Sequence, residues 1–221
     1  MRRSRAAAAA AVLALAGAAL VARYVWLPGY RPALRAGEEH GIDVSAHQGA
    51  VDWRRVRADG IAFAYLKATE GGDHTDRRFA ENWAGAAAAG LPRGAYHFFT
   101  LCRPGADQAR HFLAVAGRGE LPPAVDLELA GNCSARPPRE AVAAELAAFL
   151  ALVERATGER VVLYLGEDWQ RAYPVDRGGR PLWLRRVLRR PSGDWSLWQV
   201  GGWSRVDGVA GPVDLDVRRV R

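Results

Sequence analysis

Short apolar runs and longer amphipathic stretches alternate along the chain from residue 41 onward. Apolar runs of about four to eight residues predict buried strands, and apolar residues about three or four positions apart predict helices. The predicted strands cover residues 41–45, 61–68, 93–98, 124–129, 161–165, 182–185, 196–200 and 213–217. The predicted helices cover residues 52–59, 76–89, 104–115, 138–156 and 168–172. Asp52 is the N-cap of the first helix, and Gly90 and Gly158 end the second and fourth.

This order of elements predicts an α/β fold. Five strand-then-helix units are followed by three strands that leave almost no room for helices between them. Strands that alternate with helices form a parallel sheet, and about eight strands in one domain favour a small, irregular, TIM-like barrel. We therefore expect one barrel domain over residues 41–221.

The first 27 residues are predicted to be a membrane-targeting segment rather than part of the fold. Arg2, Arg3 and Arg5 precede seventeen uncharged residues, 6–22, which is typical of an export signal. Residues 16–18 resemble a cleavage site for a signal peptide. Residues 24–27, however, extend the apolar run towards the roughly 20 residues that span a bilayer.

We predict an uncleaved signal-anchor with its arginines on the cytoplasmic side, and a cleaved signal peptide is the alternative. Residues 28–40 then form a short linker that carries Gly, Pro and both signs of charge. The protein is accordingly expected to be exported, either anchored on the periplasmic face of the inner membrane or secreted.

The net charge of +7 is unevenly distributed. Residues 41–221 hold 25 basic and 22 acidic residues, which is too weak a field to predict nucleic-acid binding. A hydrophobic content of 49% with two cysteines excludes a disordered chain and a disulfide-dense miniprotein.

Polar residues close several of the predicted strands. They are Asp43, Lys67, His97, Asp126 with Glu128, Tyr164, Gln199 and Asp214. The carboxyl ends of barrel strands converge on one face, so these residues predict a functional site there.

Asp126 and Glu128 are the most informative pair. Side chains two residues apart on a strand lie on the same face, so the two carboxylates should lie close together. Their repulsion raises one pKa and prepares a general acid beside an ionised partner, the arrangement that cleaves glycosidic bonds. Three alternatives stay open on this tripeptide alone: a solvent-facing strand edge, a divalent-metal site, or structural ion pairs with arginine.

Six motifs in chain order resemble family 25 of the glycoside hydrolases, the muramidases often called lysozymes. They are residues 41–53, 67–71, 94–98, 124–128, 198–199 and 208–214. The resemblance implies a barrel of five βα units followed by three strands. It also implies hydrolysis of the β-1,4 bond between N-acetylmuramic acid and N-acetylglucosamine in peptidoglycan.

The resemblance assigns Glu128 as the general acid and Asp126, Asp43 and Asp214 as the other carboxylates. We expect Glu128 to hold the proton and Asp126 to stay ionised. Asp216 departs from the family, which often has Asn there, and either shifts the pH optimum or faces solvent.

Six further residues are candidates for contact with the sugar. They are Tyr96, Tyr164, Trp198, Gln199, Lys67 and His97. Trp198 is the preferred stacking residue, and tyrosine supplies both a ring face and a hydroxyl. Lys67 has a second interpretation as a structural ion-pair partner of Glu70, and His97 as a satisfied core residue.

Cys102 and Cys133 follow the ends of the third and fourth predicted strands. Loops on the same barrel face can bring them together, and an oxidising compartment would allow a disulfide.

The main competing function is a peptidoglycan-binding module on the same barrel with little catalysis. A metal-dependent deacetylase is a more distant alternative that the histidine spacing does not favour. We expect a monomer with no cofactor and no metal ion.

Overall fold

A computed structural model describes residues 2–220, with side chains from residue 12 onward. Eight strands form a closed barrel. They are β1 Glu38–Val44, β2 Phe63–Glu70, β4 Arg93–Phe98, β5 Ala124–Leu127, β6 Val162–Leu165, β7 Leu182–Arg185, β8 Leu197–Ser204 and β9 Val213–Arg219. Around the barrel they lie in the order β1-β9-β8-β7-β6-β5-β4-β2, and β2 pairs with β1 to close it. A two-residue strand, β3 His74–Thr75, pairs with the end of β2. The predicted α/β barrel is confirmed.

The last strand runs against its neighbours. The other barrel strands pair in parallel, but β9 is antiparallel to both β8 and β1. A parallel return needs a crossover of about a dozen or more residues. Only residues 205–212 connect β8 to β9, so the chain must turn back on itself. The predicted parallel sheet therefore holds for the other seven barrel strands, and β9 is the exception.

Five helices cover the barrel after strands β1, β2, β4, β5 and β6. They are α3 Trp53–Ala58, α4 Phe79–Ala88, α5 Gly105–Val115, α6 Arg139–Thr157 and α7 Glu167–Ala172. The predicted cap of α3 is present, because the Asp52 side chain accepts a hydrogen bond from the Arg55 N–H at 3.2 Å. Helix α4 begins later than predicted because Asp76 instead accepts hydrogen bonds from the Ala46 and Arg78 N–H groups.

Alternation along the strands divides the core into two parts. One cluster lies between strands and helices, and a smaller one fills the barrel interior. The interior cluster contains Phe63, Tyr65, Leu121, Ala124, Val162, Tyr164, Trp183 and Leu197. These large side chains make the barrel a packed support for whatever lies at its carboxyl end.

The amino-terminal segment is helical. Helix α1 covers Arg2–Val21 and continues through a π-helical turn, Ala22–Trp26, into a last turn, α2 Leu27–Gly29. The window Val12–Gly29 has a mean hydropathy of 1.5, and none of it is buried. It is long and apolar enough to cross a membrane, a test that a signal sequence also passes.

The linker predicted over residues 28–40 lies against the barrel. Arg31 forms an ion pair with Asp59, and the Arg205 N–H donates to the Pro28 carbonyl at 2.8 Å. Arg190 holds the buried carboxylate of Glu38 at 2.6 Å. Strand β1 begins at Glu38 rather than at residue 41, because its ladder with β9 extends to Arg219. These contacts make residues 28–37 a docked strap.

Candidate active site

A cleft of about 630 Å³ opens at the carboxyl ends of the barrel strands. Eight of the ten predicted site residues line it: Asp43, Lys67, Tyr96, Asp126, Glu128, Tyr164, Gln199 and Asp214. His97 and Trp198 do not. Of the eight polar residues predicted to close strands, all but His97 therefore meet at this face.

Four carboxylates meet in the cleft from three strands. Asp43 lies on β1 opposite Asp214 on β9, Asp126 lies on β5, and Glu128 lies just beyond the end of β5. Burial raises the pKa of each of them. Repulsion adds to the effect, from Asp214 on the pKa of Asp43 and from Glu128 on the pKa of Asp126. The cluster therefore retains protons at a pH where isolated carboxyl groups are ionised.

Asp126 differs from the expectation that it is ionised in the free protein. Its pKa is raised well above the usual range, first by burial and then by Glu128. Among the described residues its Oδ1 has no hydrogen-bond partner. A buried carboxylate oxygen without a donor is costly, so burial favours the protonated form.

Two cations oppose the rise in these pKa values. Arg185, an exposed residue at the end of β7, counteracts the rise in the pKa of Glu128 and of Asp214. Lys67 acts in the same direction on the pKa of Asp126. Its ammonium lies 2.7 Å from Glu70 Oε2 and 4.9 Å from the centre of the Phe98 ring. Lys67 is thus both an ion-pair partner and a cleft residue.

Asp43 is oriented by a chain of two hydrogen bonds. The Tyr164 hydroxyl donates to Gln199 Oε1 at 2.9 Å, and Gln199 Nε2 donates to Asp43 Oδ2 at 2.8 Å. Because the amide gives its N–H to the carboxylate, its oxygen can only accept from the tyrosine. Gln199 is therefore engaged with Asp43, while the ring of Tyr164 lines the cleft.

His97 is a core residue, so its prediction as a sugar contact is wrong. It is 0% exposed, stacks on Phe149 at 4.9 Å, and has a pKa lowered by burial to about 3. Its ring nitrogens bond Thr69 Oγ1 at 2.7 Å and Gln108 Oε1 at 3.1 Å. Alternation on β4 points its neighbour Tyr96 into the cleft and His97 towards the helices.

Trp198 is likewise wrong as the stacking residue. It is 1% exposed, belongs to the outer core, and donates its indole N–H to the Arg186 carbonyl at 2.7 Å. On β8 the adjacent Gln199 takes the inward position.

Sequence reasoning missed aromatic and basic residues on β7. Trp183 lies opposite Tyr164 in the β6–β7 register and lines the cleft, as does Arg185 two residues later. The available signal was the alternation of β7, which places Trp183 and Arg185 on one face. Phe98 also lines the cleft.

The loop after β1 was also missed, although it lies within a motif that was recognised. Ser45, His47 and Gln48 line the cleft. The Ser45 N–H donates to Gln48 Oε1 at 2.9 Å, and the Ser45 hydroxyl accepts from the His47 N–H at 3.3 Å. This reciprocal capping fixes the rim beside Asp43.

The predicted Cys102–Cys133 disulfide is confirmed and joins the loops after β4 and β5. Asn132 strengthens the same junction, because its amide donates to the carbonyls of Phe99 at 2.9 Å and Glu128 at 3.0 Å. The backbone that carries Glu128 is therefore tied to the neighbouring loop.

Comparison with known proteins places these features in one family. The sequence profile of "Glycosyl hydrolases family 25" matches residues 42–209. "Uncharacterized protein YegX" of Escherichia coli K12 is 37% identical over 216 residues, covering 88% of this chain and 77% of that protein. "Lysozyme M1" of Streptomyces globisporus is 34% identical over 202 residues, covering 79% of this chain and 65% of that protein.

Solved structures agree. A family 25 glycosyl hydrolase from Bacillus anthracis superposes with a TM-score of 0.77 at 31% identity, covering 87% of this chain and 94% of that one. A bacterial lysozyme from Streptomyces coelicolor superposes with a TM-score of 0.73 at 32% identity, covering 80% and 90%.

Proposed function

The chain belongs to glycosyl hydrolase family 25 and is therefore a glycoside hydrolase, and from this premise we propose that it is a muramidase. The bond cleaved is the β-1,4 linkage from N-acetylmuramic acid to N-acetylglucosamine in peptidoglycan. The observation that carries the proposal is the meeting of Asp43, Asp126, Glu128 and Asp214 in one cleft. Related lysozymes support peptidoglycan as the substrate class.

Glu128 is the general acid in this proposal. Burial raises its pKa, which favours the protonated form that an acid needs, and it lies beyond the strand end at the cleft surface. Its proton passes to the glycosidic oxygen as the bond to the muramic acid anomeric carbon breaks. The bonding electrons stay with the departing N-acetylglucosamine oxygen.

Asp126 stabilises the positive charge that then develops on the muramic acid ring. This role requires the ionised form, so the proton that burial and Glu128 favour on Asp126 leaves when substrate binds, and the charge of Lys67 acts in that direction. The stabilisation acts either directly on the oxocarbenium centre or through the 2-acetamido group of the substrate. Water adds to the anomeric carbon, and its proton returns to the Glu128 carboxylate.

Aromatic rings of the cleft provide the contact surface for the sugars. Tyr96, Phe98, Tyr164 and Trp183 line the cleft, and rings of this kind stack on the apolar faces of sugars. Arg185 and Lys67 add positive charge beside them. The peptide attached to the muramic acid lactyl group carries carboxylates that this charge attracts.

A peptidoglycan-binding module without catalysis is the competing function. A binder does not need four carboxylates with raised pKa values, and burying them destabilises the fold. The carboxylate cluster therefore favours an enzyme.

Digestion of purified peptidoglycan by the full-length protein tests the proposal. The products are reduced with borohydride and identified by mass spectrometry, with Glu128→Gln as the matched control. A muramidase yields reduced muramic acid ends. Reduced glucosamine ends would overturn the bond assignment, and binding without new reducing ends would favour the module.

A further inference from the structure

Asp216 lies inside the barrel, so the interpretation that it faces solvent is wrong. It is on β9 between Gly41 of β1 and Gln199 of β8, and it is 0% exposed. Within residues 12–220, no lysine or arginine lies at ion-pair distance from it. Ionising a fully buried carboxyl group that has no cation beside it costs a large free energy, so the neutral form is favoured.

The two carboxyl oxygens of Asp216 have different hydrogen-bond surroundings. The Trp183 indole N–H donates to Oδ1 at 2.8 Å. Among the described residues Oδ2 meets no N–H or hydroxyl donor. On β1, Asp43 lies two residues beyond Gly41, the residue opposite Asp216, so the two side chains are diagonal neighbours on the same face. Two carboxyl groups can share a hydrogen bond only when one of them holds a proton.

The surroundings favour Asp216 as the group that keeps this proton. Asp43 has a second donor, Gln199 Nε2, and lines the cleft, so its charge is better solvated. The titratable groups that face Asp216 are Asp43 on β1, Asp214 on β9, and Tyr65 on β2. Burial raises the pKa of Asp216 well above the usual range, and the negative charge of Asp43 is the next cause.

We propose that Asp216 is a neutral carboxylic acid whose hydroxyl donates to Asp43, and that it acts as a positioning residue for the cleft. Together with Gln199 it gives Asp43 two donors and a fixed orientation. Only the importance of Asp43 rests on the proposed muramidase function, since the protonation state of Asp216 follows from its own surroundings.

The pH dependence of unfolding tests the protonation state without any activity measurement. Asp216→Asn is neutral at every pH, has nearly the same shape, and can donate to Asp43 while accepting from Trp183. In the unfolded chain Asp216 has a pKa of about 3.9. Its raised pKa in the fold therefore adds stability that is complete below that pH and is lost as the pH rises.

We expect the unfolding equilibrium constant of the wild type, divided by that of Asp216→Asn, to rise about tenfold per pH unit above pH ~4. The rise continues for as long as Asp216 keeps its proton in the folded protein. Urea unfolding of the full-length protein in detergent between pH ~4.5 and 8 measures it. Asp194→Asn, at an exposed carboxylate, is the matched control and should give a flat ratio. A flat ratio for Asp216→Asn would overturn the proposal.

Kinetics test the positioning role. Asp216→Ala removes the donor to Asp43, and we expect kcat to fall by about tenfold or more with KM little changed, because misplaced groups act mainly on the chemical step. Asp216→Asn should recover most of that loss. If Asn performs no better than Ala in folded protein, Asp216 does not act as a donor. An inactive wild type would refute the muramidase proposal and leave the unfolding test intact.

Discussion

The acidity of Glu128 depends on the balance between burial and Arg185. Burial raises the pKa of Glu128, and the guanidinium of Arg185 is the largest opposing influence. The ionisation of a general acid sets the alkaline limb of the pH profile of kcat/KM. A change at Arg185 should therefore move that limb.

We predict that Arg185→Gln shifts the alkaline limb to higher pH. Removing a positive charge makes loss of the Glu128 proton harder. The shift should be up to about one unit, at the low end of the one to three units for a close opposite charge, because Arg185 is exposed. Steady-state rates from pH ~4 to 9 measure it. Arg186→Gln, outside the cleft, is the control, and an unchanged or acid-shifted limb for Arg185→Gln would contradict the prediction.

Among single residues, the sequence predicted the acidic residues of the cleft better than its aromatic and histidine contacts. Asp43, Asp126, Glu128 and Asp214 close apolar runs, and strand ends converge whatever the details of packing. To choose between adjacent residues, one must know which side chains of a strand point into the barrel and which point towards the helices. An error of one position turns a cleft residue into a core residue. His97 and Trp198 were misplaced by that single step.

The loops after β4 and β5 are the elements that hold Glu128 in place. The Cys102–Cys133 disulfide and the side chain of Asn132 join them. The cysteines were visible in the sequence because both follow strand ends. The role of Asn132 could not be predicted from the sequence. Asparagine is common in turns, and no local pattern distinguishes one that bridges two loops from one that forms a turn.

Replacing both cysteines by alanine should destabilise the fold by about 3–4 kcal/mol on the chain-entropy relation for the 31-residue separation. Urea unfolding of the oxidised wild type and the double variant measures the difference. A reducing agent should lower the stability of the wild type to that of the variant and leave the variant unchanged. Equal stabilities under oxidising conditions would contradict the prediction.

Strand and helix positions followed from the apolar pattern, whereas strand direction and element ends depended on tertiary contacts. The ranges predicted for β4 and β7 match the structure. Strand β9 runs antiparallel because of its short connection, and α4 starts late because Asp76 binds the backbone of another loop. Such contacts join distant segments and leave no local pattern.

The whole molecule combines an apolar amino-terminal helix that begins with three arginines, a docked strap and a barrel. The strap contacts with Asp59, Arg190 and Arg205 leave little free chain between Gly29 and the barrel. If the helix stays in the membrane, the barrel is held close to the bilayer rather than on a flexible tether.

We predict that the mature protein retains residue 1 and fractionates with membranes. The apolar window Val12–Gly29 is long enough to span a bilayer, and the arginines before it favour a cytoplasmic amino terminus. Amino-terminal sequencing and carbonate extraction of membranes test it. A sequence that begins near residue 19 or 23 would mean that the signal is cleaved and the enzyme is soluble after export.

The central claim is that Glu128 supplies the proton for glycosidic cleavage, and the most direct test is the rate of Glu128→Gln on two substrates. On peptidoglycan we expect a loss of about 10²-fold or more, since a general acid contributes about 10²–10⁴-fold. On an aryl glycoside, whose leaving group needs no proton, the loss should be much smaller. Circular dichroism establishes that the variant is folded. A folded Glu128→Gln that releases muramic acid ends from peptidoglycan at nearly the wild-type rate would contradict the account.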